Sequence, residues 1–200
     1  MNEPHVDGIK MIDGADDLDR LRRALEGCKE LQRLAEKYGI RDIFQDNGGK
    51  VLQSLIILGL RAVGGREGND AIDDQGNEYE LKTINIALGA TRGVTTHHHL
   101  NKRILDKYRN VKAWYISLYK HIELVEILWL TPEDLAPIFD ERERRLIESG
   151  DVPLNNPKIP MAFVRRYGVR VWPMESDEQA QLMPPSSPLR NGNGNHSSIG

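Results

Sequence analysis

Cysteine is almost absent from this 200-residue chain, in which Cys28 is the single thiol. One thiol cannot form an intrachain disulfide or a cysteine-based zinc cluster, which favours a reducing compartment. The chain also lacks any run near the roughly 20 consecutive apolar residues that cross a membrane. Its opening segment, MNEPHVDGIK, has neither the basic nor the apolar region of a secretion signal. We therefore expect a cytoplasmic protein with no membrane partner.

Positive charge is not in excess either, because the formal net charge is -3 at pH 7. That average argues against a nucleic-acid partner, whose phosphates are contacted by lysine and arginine. Bases are nevertheless concentrated between Arg92 and Lys112, where six of them accompany a single acid, Asp106, and give a local charge of +5. This stretch is either an ordinary solvated helix face or part of a DNA-contacting surface.

Hydrophobic periodicity predicts a mixed α/β fold. Apolar residues three and four apart predict an amphipathic helix over 16–38 that ends at Gly39, then a more apolar, largely buried helix that continues to Gly64. Helical spacing returns over 100–108, and again after Thr131, a predicted N-cap that Pro132 follows. Predicted strands flank a turn at 73–77, occupy 113–119 and 122–130, and recur at 161–164 and 169–172.

The same patterns suggest how the chain is organised. An apolar content of 39% suits one domain with a real core, and we assign it to residues 16–173. Residues 1–15 show no periodicity and form an unassigned extension. Residues 174–200 are rich in Ser, Pro, Asn and Gly, and they contain too few apolar residues to offset the entropy of ordering, so we expect a disordered tail.

The most informative pattern is Asp70 followed ten residues later by Glu80-Leu81-Lys82. Glu80 and Lys82 lie two apart in a predicted strand, so they point to the same face, and the turn can bring Asp70 beside them. Two carboxylates suit Mg²⁺, while a lysine can stabilise charge on phosphorus or help to position and deprotonate a water. Glu67 could serve a second metal. An ordinary cross-strand ion pair explains the same spacing.

Five segments of the chain form distinctive blocks, several of them long and chemically unusual: FQDNGGK at 44–50, GREGNDAIDDQGNEYELKTINI at 65–86, THHHLN at 96–101, KYR at 107–109 and NNPKIP at 155–160. These blocks resemble, in the same order, those of the PvuII family of restriction endonucleases, which belongs to the PD-(D/E)xK superfamily. The resemblance covers roughly residues 30–172. The chain departs from the family in a longer acidic N-terminus, a C-terminal tail and a slightly longer segment 87–95.

This resemblance implies a restriction-endonuclease-like core, in which helices flank a central mixed β-sheet. It implies Mg²⁺-dependent hydrolysis of both strands of double-stranded DNA at a short palindrome, CAGCTG, cut to blunt ends. A water would attack the phosphodiester in line and leave a 5′-phosphate and a 3′-hydroxyl. The longer segment 87–95 touches a DNA-facing loop, so this departure from the family bears on the cleavage specificity and not on the catalytic residues.

The resemblance also implies roles for individual residues. Asp70, Glu80 and the backbone carbonyl of Leu81 would hold Mg²⁺, and Lys82 would attend the attacking water or the scissile phosphate. The remaining catalytic candidates, Glu67 and Tyr108, would support the cleft.

A second implied group of residues would contact DNA. Three consecutive histidines cannot converge on one zinc ion from a regular helix or strand, so the histidine run is either a polar turn or a major-groove reader in which His98 and His99 contact bases. Asn155 and Asn156 are either turn residues or readers of adenine edges. Asp46 and Asn47, before the second helix, either cap that helix or approach the minor groove. The complete set is Asp46, Asn47, Thr95, His97, His98, His99, Asn155 and Asn156.

Cutting both strands of a palindrome calls for a two-fold homodimer. The helix over 16–38 could supply its interface, or could serve only its own core. A DNA methyltransferase in the host is the implied functional partner. Two alternatives remain open, namely a repair or recombination nuclease on the same fold and a catalytically inactive dimer that binds DNA without cutting it.

Overall fold

The computed structural model describes residues 14–63, 70–88 and 93–173. Within these residues the helices are α1 (Gly14–Lys37), α2 (Gly48–Leu58), α3 (Lys102–Asn110), α4 (Pro132–Glu148) and α5 (Met161–Tyr167), with a 3₁₀ turn at Ile86–Leu88. The strands are β1 (Arg61–Ala62), β2 (Ala71–Ile72), β3 (Glu78–Asn85), β4 (Gly93–Thr95), β5 (His99–Leu100), β6 (Ala113–Lys120), β7 (Glu123–Leu130), β8 (Leu154–Asn155), β9 (Lys158–Pro160) and β10 (Val169–Trp172).

Six of these strands form a central sheet in the order β1-β2-β3-β6-β7-β10. β3 and β6 are parallel, whereas every other neighbouring pair in this sheet is antiparallel. The expected mixed α/β fold with a central mixed sheet and flanking helices is therefore confirmed. Two short ribbons lie outside the sheet, one pairing β4 with β9 and the other pairing β5 with β8.

A hydrophobic core lies on each face of the sheet. β6 is buried over almost its whole length, as expected of a central strand that is covered on both sides. Trp114, Ile116 and Leu118 belong to the cluster that includes residues of α3, α4 and α5. Ala113 and Tyr115, which alternate with them, belong to the cluster that includes residues of α1 and α2. Side chains of β3 are divided between the same two faces.

Local hydrogen bonds fix the turn that brings β2 against β3. The Asp73 carboxylate accepts hydrogen bonds from the backbone N–H groups of Gln75 and Asn77, from the Asn77 amide and from the Tyr79 hydroxyl. Burial pushes the pKa of Asp73 upward, but these hydrogen bonds outweigh it and hold the pKa below its ordinary value. The predicted hairpin turn is present, with Gly76 at φ 82°.

Several predicted boundaries are present as well. α1 ends at Lys37, and Gly39 takes the left-handed φ of 82° expected of a helix stop. A Cβ at Gly39 would lie 2.7 Å from the Ala62 carbonyl oxygen, so the position excludes larger residues. At the start of α4, the Thr131 side chain accepts from the Asp134 N–H while the Asp134 carboxylate accepts from the Thr131 N–H, which forms the predicted N-cap as a capping box.

Two element predictions are wrong. The second helix stops at Leu58 instead of continuing to Gly64, because Gly59 adopts φ 65° and donates its N–H to carbonyls of the last turn. Arg61–Ala62 then forms β1. The segment 161–164, predicted as a strand, lies in α5. A short apolar run does not distinguish strand from helix by its periodicity alone, and here the run follows Pro160, the N-cap residue of α5.

Some predictions fall partly outside the described residues. This applies to residues 1–13 of the N-terminal extension, to the tail 174–200, and to Glu67 and Gly64. In the part of the chain that the structure describes, no helix combines the length and the apolar character needed to cross a membrane.

Candidate active site

β3 and the segment that enters β2 bring the three residues of the acidic–basic motif together. Glu80 and Lys82 share the face of β3 that looks toward α3 and α4, and the Lys82 ammonium lies 2.5 Å from Glu80 Oε1. Asp70 stands beside them, with its Oδ2 atom 4.0 Å from the same ammonium. That Oδ2 atom also accepts a hydrogen bond from the Leu81 N–H at 2.9 Å, which anchors the Asp70 side chain to β3.

The cluster is closed on one side and open on the other. The Glu80 side chain is 5% exposed and that of Lys82 is 18% exposed, whereas that of Asp70 is 43% exposed. Aromatic rings form the closed side, since the Lys82 ammonium lies 5.8 Å from the centre of the Tyr108 ring and 5.9 Å from that of Trp114. A ligand would therefore approach from the side of Asp70.

Burial makes this cluster electrostatically unusual. It raises the pKa of Glu80 to about 7; Lys82 opposes the shift and Asp70 adds to it. Burial alone would lower the pKa of Lys82, but the negative charges of Glu80 and Asp70 outweigh that effect and hold it above its ordinary value. Lys82 is therefore a charged ammonium in this arrangement. One ammonium does not fully compensate two carboxylates, which is the condition under which a further cation binds well.

The residues present fit a hard divalent cation. Asp70 and Glu80 offer carboxylate oxygens, and Leu81 between the motif residues can offer a backbone carbonyl; oxygen ligands of this kind suit Mg²⁺, which also keeps several waters. Within residues 14–63, 70–88 and 93–173, no three His, Cys, Asp or Glu side chains cluster as a metal site. The described side-chain donor set is thus a carboxylate pair.

Tyr108, on α3, packs its ring against Lys82 and uses its hydroxyl for a hydrogen bond outside the cluster. The hydroxyl donates to the Thr96 carbonyl oxygen at 2.7 Å. Burial raises the pKa of Tyr108 above its ordinary value, so the phenol stays neutral. The described geometry therefore gives Tyr108 a packing contact with Lys82 and a fixed hydrogen bond to the segment that leads into the histidines.

The histidines and the asparagine pair at 155–156 are far apart in sequence but meet in the ribbon of β5 and β8. His99 pairs with Asn155 in the ribbon register. His98 Nδ1 lies 2.7 Å from Asn156 Oδ1, and the Asn156 N–H donates to the His98 carbonyl oxygen at 2.9 Å. All four side chains of His98, His99, Asn155 and Asn156 are exposed. One exposed polar ribbon thus carries most of the predicted base-reading residues.

The other predicted DNA contacts lie at the edges of this arrangement. His97 is exposed, and its Nδ1 atom accepts from the His99 N–H at 3.0 Å. Thr95 is exposed at the end of β4, where it pairs with Lys158 of β9. Neither residue contacts the carboxylate pair in the described structure.

Asp46 and Asn47 lie apart from the ribbon, immediately before α2. Both adopt a left-handed backbone, with φ 48° and 64°. Asn47 is the N-cap residue, but its side chain makes no capping hydrogen bond, so helix capping by that amide does not explain it. α2 packs on the face of the sheet opposite Glu80 and Lys82, and the structure does not bring Asp46 or Asn47 to the carboxylate pair.

The basic stretch identified from the sequence is partly neutralised by α4. Lys102 Nζ lies 2.6 Å from Glu143 Oε1, and Arg109 lies 2.8 Å from both Asp140 and Glu143. The sequence alone left open whether these two bases lie on a solvated helix face or contact DNA. Their acidic partners on α4 lie more than 30 residues later in the sequence. The packing of α3 against α4 brings these charges together.

Two buried residues near the ribbon were not identified from the sequence. Thr96, beside the predicted Thr95, is 4% exposed, and Arg142 on α4 is 2% exposed. The signal for Arg142 was present, because the buried positions of α4 are Leu135, Phe139, Arg142 and Leu146, at helical spacing. A basic residue in an apolar stripe is a buried charge, and arginine is rarely fully buried unless it is paired.

The chain that carries this geometry matches a known protein-family model. The model described as restriction endonuclease PvuII matches residues 16–172, which include the carboxylate pair, Lys82, Tyr108 and both halves of the polar ribbon. The match spans most of the chain and agrees with the resemblance and the fold. The chain therefore belongs to the PvuII restriction endonuclease family, and so is a type II restriction endonuclease, a site-specific deoxyribonuclease.

Proposed function

We propose that this enzyme hydrolyses both strands of double-stranded DNA at a short palindrome, with Mg²⁺ held by Asp70, Glu80 and the Leu81 carbonyl. The observation that carries the proposal is the convergence of two carboxylates and one ammonium within 2.5–4.0 Å on a single face of β3. An ion pair that served only stability would not need two acids around one partly enclosed base. Two carboxylates beside one ammonium leave room for a second cation next to Lys82.

The chain's own residues divide the chemistry between them. Asp70, the exposed member, meets incoming ligands, while buried Glu80 supplies an oxygen whose position β3 fixes. Bound Mg²⁺ would activate a water and neutralise charge that develops on the phosphate. Lys82 keeps its proton and directs a positive charge at the attacking water or the scissile phosphate, where the packing of Tyr108 and Trp114 limits the positions it can take. Glu67 would support this cleft.

Recognition is assigned to the polar ribbon. Histidine ring nitrogens can donate to guanine acceptors, and asparagine amides match adenine edges in the major groove. The contact between His98 and Asn156 fixes two of these side chains relative to each other before DNA binds. Thr95 and His97 would contact the DNA phosphate backbone beside these bases. Asp46 and Asn47 would approach the minor groove from the α2 side.

The proposed assembly is a homodimer formed through α1. Every side chain described from residue 17 to residue 27 is exposed, although Leu18, Leu21 and Leu25 form an apolar stripe along this part of the helix. A helix that leaves its apolar stripe in water is normally covered by a partner. A second copy fits the function, because cutting both strands of a palindrome needs two active sites related by a two-fold axis.

The proposed cleavage site is CAGCTG with blunt ends, on the strength of the family match and the shared histidine and asparagine blocks. The reaction would take place in the cytoplasm. A host methyltransferase that modifies the same sequence would protect the cell's own DNA.

Digestion of plasmid DNA by the purified enzyme, with and without Mg²⁺, followed by sequencing of the ends, tests this proposal. We expect discrete cuts at one palindrome that require Mg²⁺, and no cuts by Asp70→Asn. Cuts at many unrelated sequences would favour a repair or recombination nuclease. Specific binding without cutting would instead identify an inactive DNA-binding dimer. Glu78→Gln, an exposed acid two residues before Glu80 in β3, is the matched control and should cut normally.

A further inference from the structure

Arg142 is a buried cation within an apolar core. It is 2% exposed and occupies one position of the apolar stripe of α4, between Phe139 and Leu146. Burial lowers the pKa of Arg142 to about 10, which still leaves the guanidinium charged at neutral pH. Taking such a charge out of water is costly, and an apolar side chain of similar volume is often at least as stable in its place.

Among the described residues, the hydrogen-bond partners of Arg142 are too few to offset this cost. Its Nη1 atom donates to Thr96 Oγ1 at 3.3 Å. In the described ranges, its Nη2 atom is a buried donor without a hydrogen-bond partner. A residue retained for stability would have a buried carboxylate or several acceptors around it. The single described hydrogen bond of Arg142 therefore suggests that its role is exerted on Thr96.

Thr96 is the junction between the catalytic cluster and the polar ribbon. Its N–H and its hydroxyl both donate to the Pro157 carbonyl oxygen, at 3.1 and 3.0 Å. Its own carbonyl oxygen accepts from the Tyr108 hydroxyl, whose ring packs against Lys82. Thr96 directly precedes the histidines, and Pro157 directly follows the asparagines. A displacement of Thr96 would therefore change the position of the ribbon relative to Lys82.

We propose that Arg142 is a positioning residue, which orients Thr96 and thereby fixes the β5–β8 ribbon relative to the pair of Tyr108 and Lys82. A threonine hydroxyl has one proton to donate, and the donor from Arg142 occupies an acceptor site on Oγ1, so the hydroxyl proton is directed at Pro157. The positive charge polarises that hydroxyl and strengthens its bond to the carbonyl. Arg142 touches neither the carboxylate pair nor the ribbon side chains in the described structure, and acts through Thr96.

This inference rests on the proposed cleavage activity, and its first test compares cleavage with stability. The variant Arg142→Met removes the charge and keeps most of the volume. We expect its single-turnover cleavage rate at the wild-type enzyme's site to fall about 10- to 100-fold, as a small misplacement of reacting groups does. Discrimination against one-base variants of that site should fall as well, while the Tm stays the same or rises. Arg142→Lys, which keeps a charged donor, should recover part of the rate.

Leu135→Ala is the matched control, because Leu135 is a fully buried residue of the same helix and core cluster. It should lower the Tm and leave site discrimination intact. Equal rates and discrimination in Arg142→Met and wild type would overturn the inference. So would a loss of rate that accompanies a fall in Tm as in Leu135→Ala, because that would be a general effect of instability.

Amide hydrogen exchange on the DNA-free protein separates this inference from the proposed function. We expect Arg142→Met to accelerate exchange at the Thr96 and Asn156 amides relative to the amides of β6, while Leu135→Ala does not change that ratio. These amides donate to Pro157 and His98, so they report the junction and the ribbon directly. If wild type makes no specific cuts, the proposed function fails while this measurement still decides whether Arg142 holds the ribbon. An unchanged ratio in Arg142→Met would refute the positioning role.

Discussion

The apolar stripe on α1 gives a quantitative prediction about assembly. Leu18 and Leu21 are 47% and 53% exposed, so each keeps about half of its apolar surface in water. Burying a whole leucine is worth roughly 2 kcal/mol, and the exposed half therefore about 1 kcal/mol. A two-fold interface contains both residues twice. The double variant Leu18→Glu/Leu21→Glu should thus cost about 4 kcal/mol of association free energy, which weakens the dimer roughly 1,000-fold.

Sedimentation equilibrium, with the protein varied from nanomolar to high micromolar concentration, measures this change directly. Glutamate is a good helix former, so the variant should keep the helicity and Tm of a folded protomer. Ile122→Glu/Ile147→Glu is the matched control, because these isoleucines are 77% and 67% exposed and lie outside α1. The control should dimerise like wild type. A wild-type chain that stays monomeric, or an α1 variant with the wild-type dissociation constant, would refute the assignment of α1 as the interface.

Three further predictions concern the active site, the ribbon and the turn. Lys82→Met should lower the cleavage rate by at least roughly 100-fold in single-turnover assays with Mg²⁺, because it removes a charge aimed at the reacting phosphate, and a rate near wild type would contradict that role. His98→Ala should lose about 1–3 kcal/mol of discrimination at one base pair in binding assays with single-base variants, whereas His121→Ala, in the exposed turn after β6, should lose none. Asp73→Asn should lower the free energy of unfolding by about 2 kcal/mol at pH 7. The folded-state pKa of Asp73 lies below the ordinary value of 3.8, so the stabilisation is present above that value and is lost as the pH falls through the folded-state pKa. Urea unfolding should therefore show that the difference in unfolding free energy between wild type and Asp73→Asn shrinks in acid. A difference that stays constant with pH would contradict this account.

The carboxylate pair could be anticipated from the sequence because it depends on local rules. A period of two places Glu80 and Lys82 on one face of a strand, and a turn rich in Asp, Gly and Asn returns the chain beside it. The N-cap at Thr131 is similarly local, since it is set within four residues. In each case the contacting residues are close in sequence, so their spacing carries most of the information.

Features that depend on packing could not be anticipated in the same way. The ribbons β4–β9 and β5–β8 contain only two or three residues per strand, too few for a pattern, and they pair residues more than 50 positions apart. The end of α2 depended on which glycine of an apolar run takes the left-handed conformation. For Arg142, the spacing in α4 indicated burial, but its partner Thr96 lies 46 residues away.

The ion pairs between α3 and α4 have a consequence for how DNA affinity responds to salt. Each base that contacts a phosphate releases a condensed counterion, so the slope of log affinity against log salt grows by about 0.9 per contact. Lys102 and Arg109 already lie against Glu143 and Asp140, and would have to exchange these carboxylates for phosphates. Counterion release should therefore be smaller than the six bases of 92–112 suggest. The enzyme would then bind nonspecific DNA less tightly, and a larger share of its affinity for its site would come from contacts with bases.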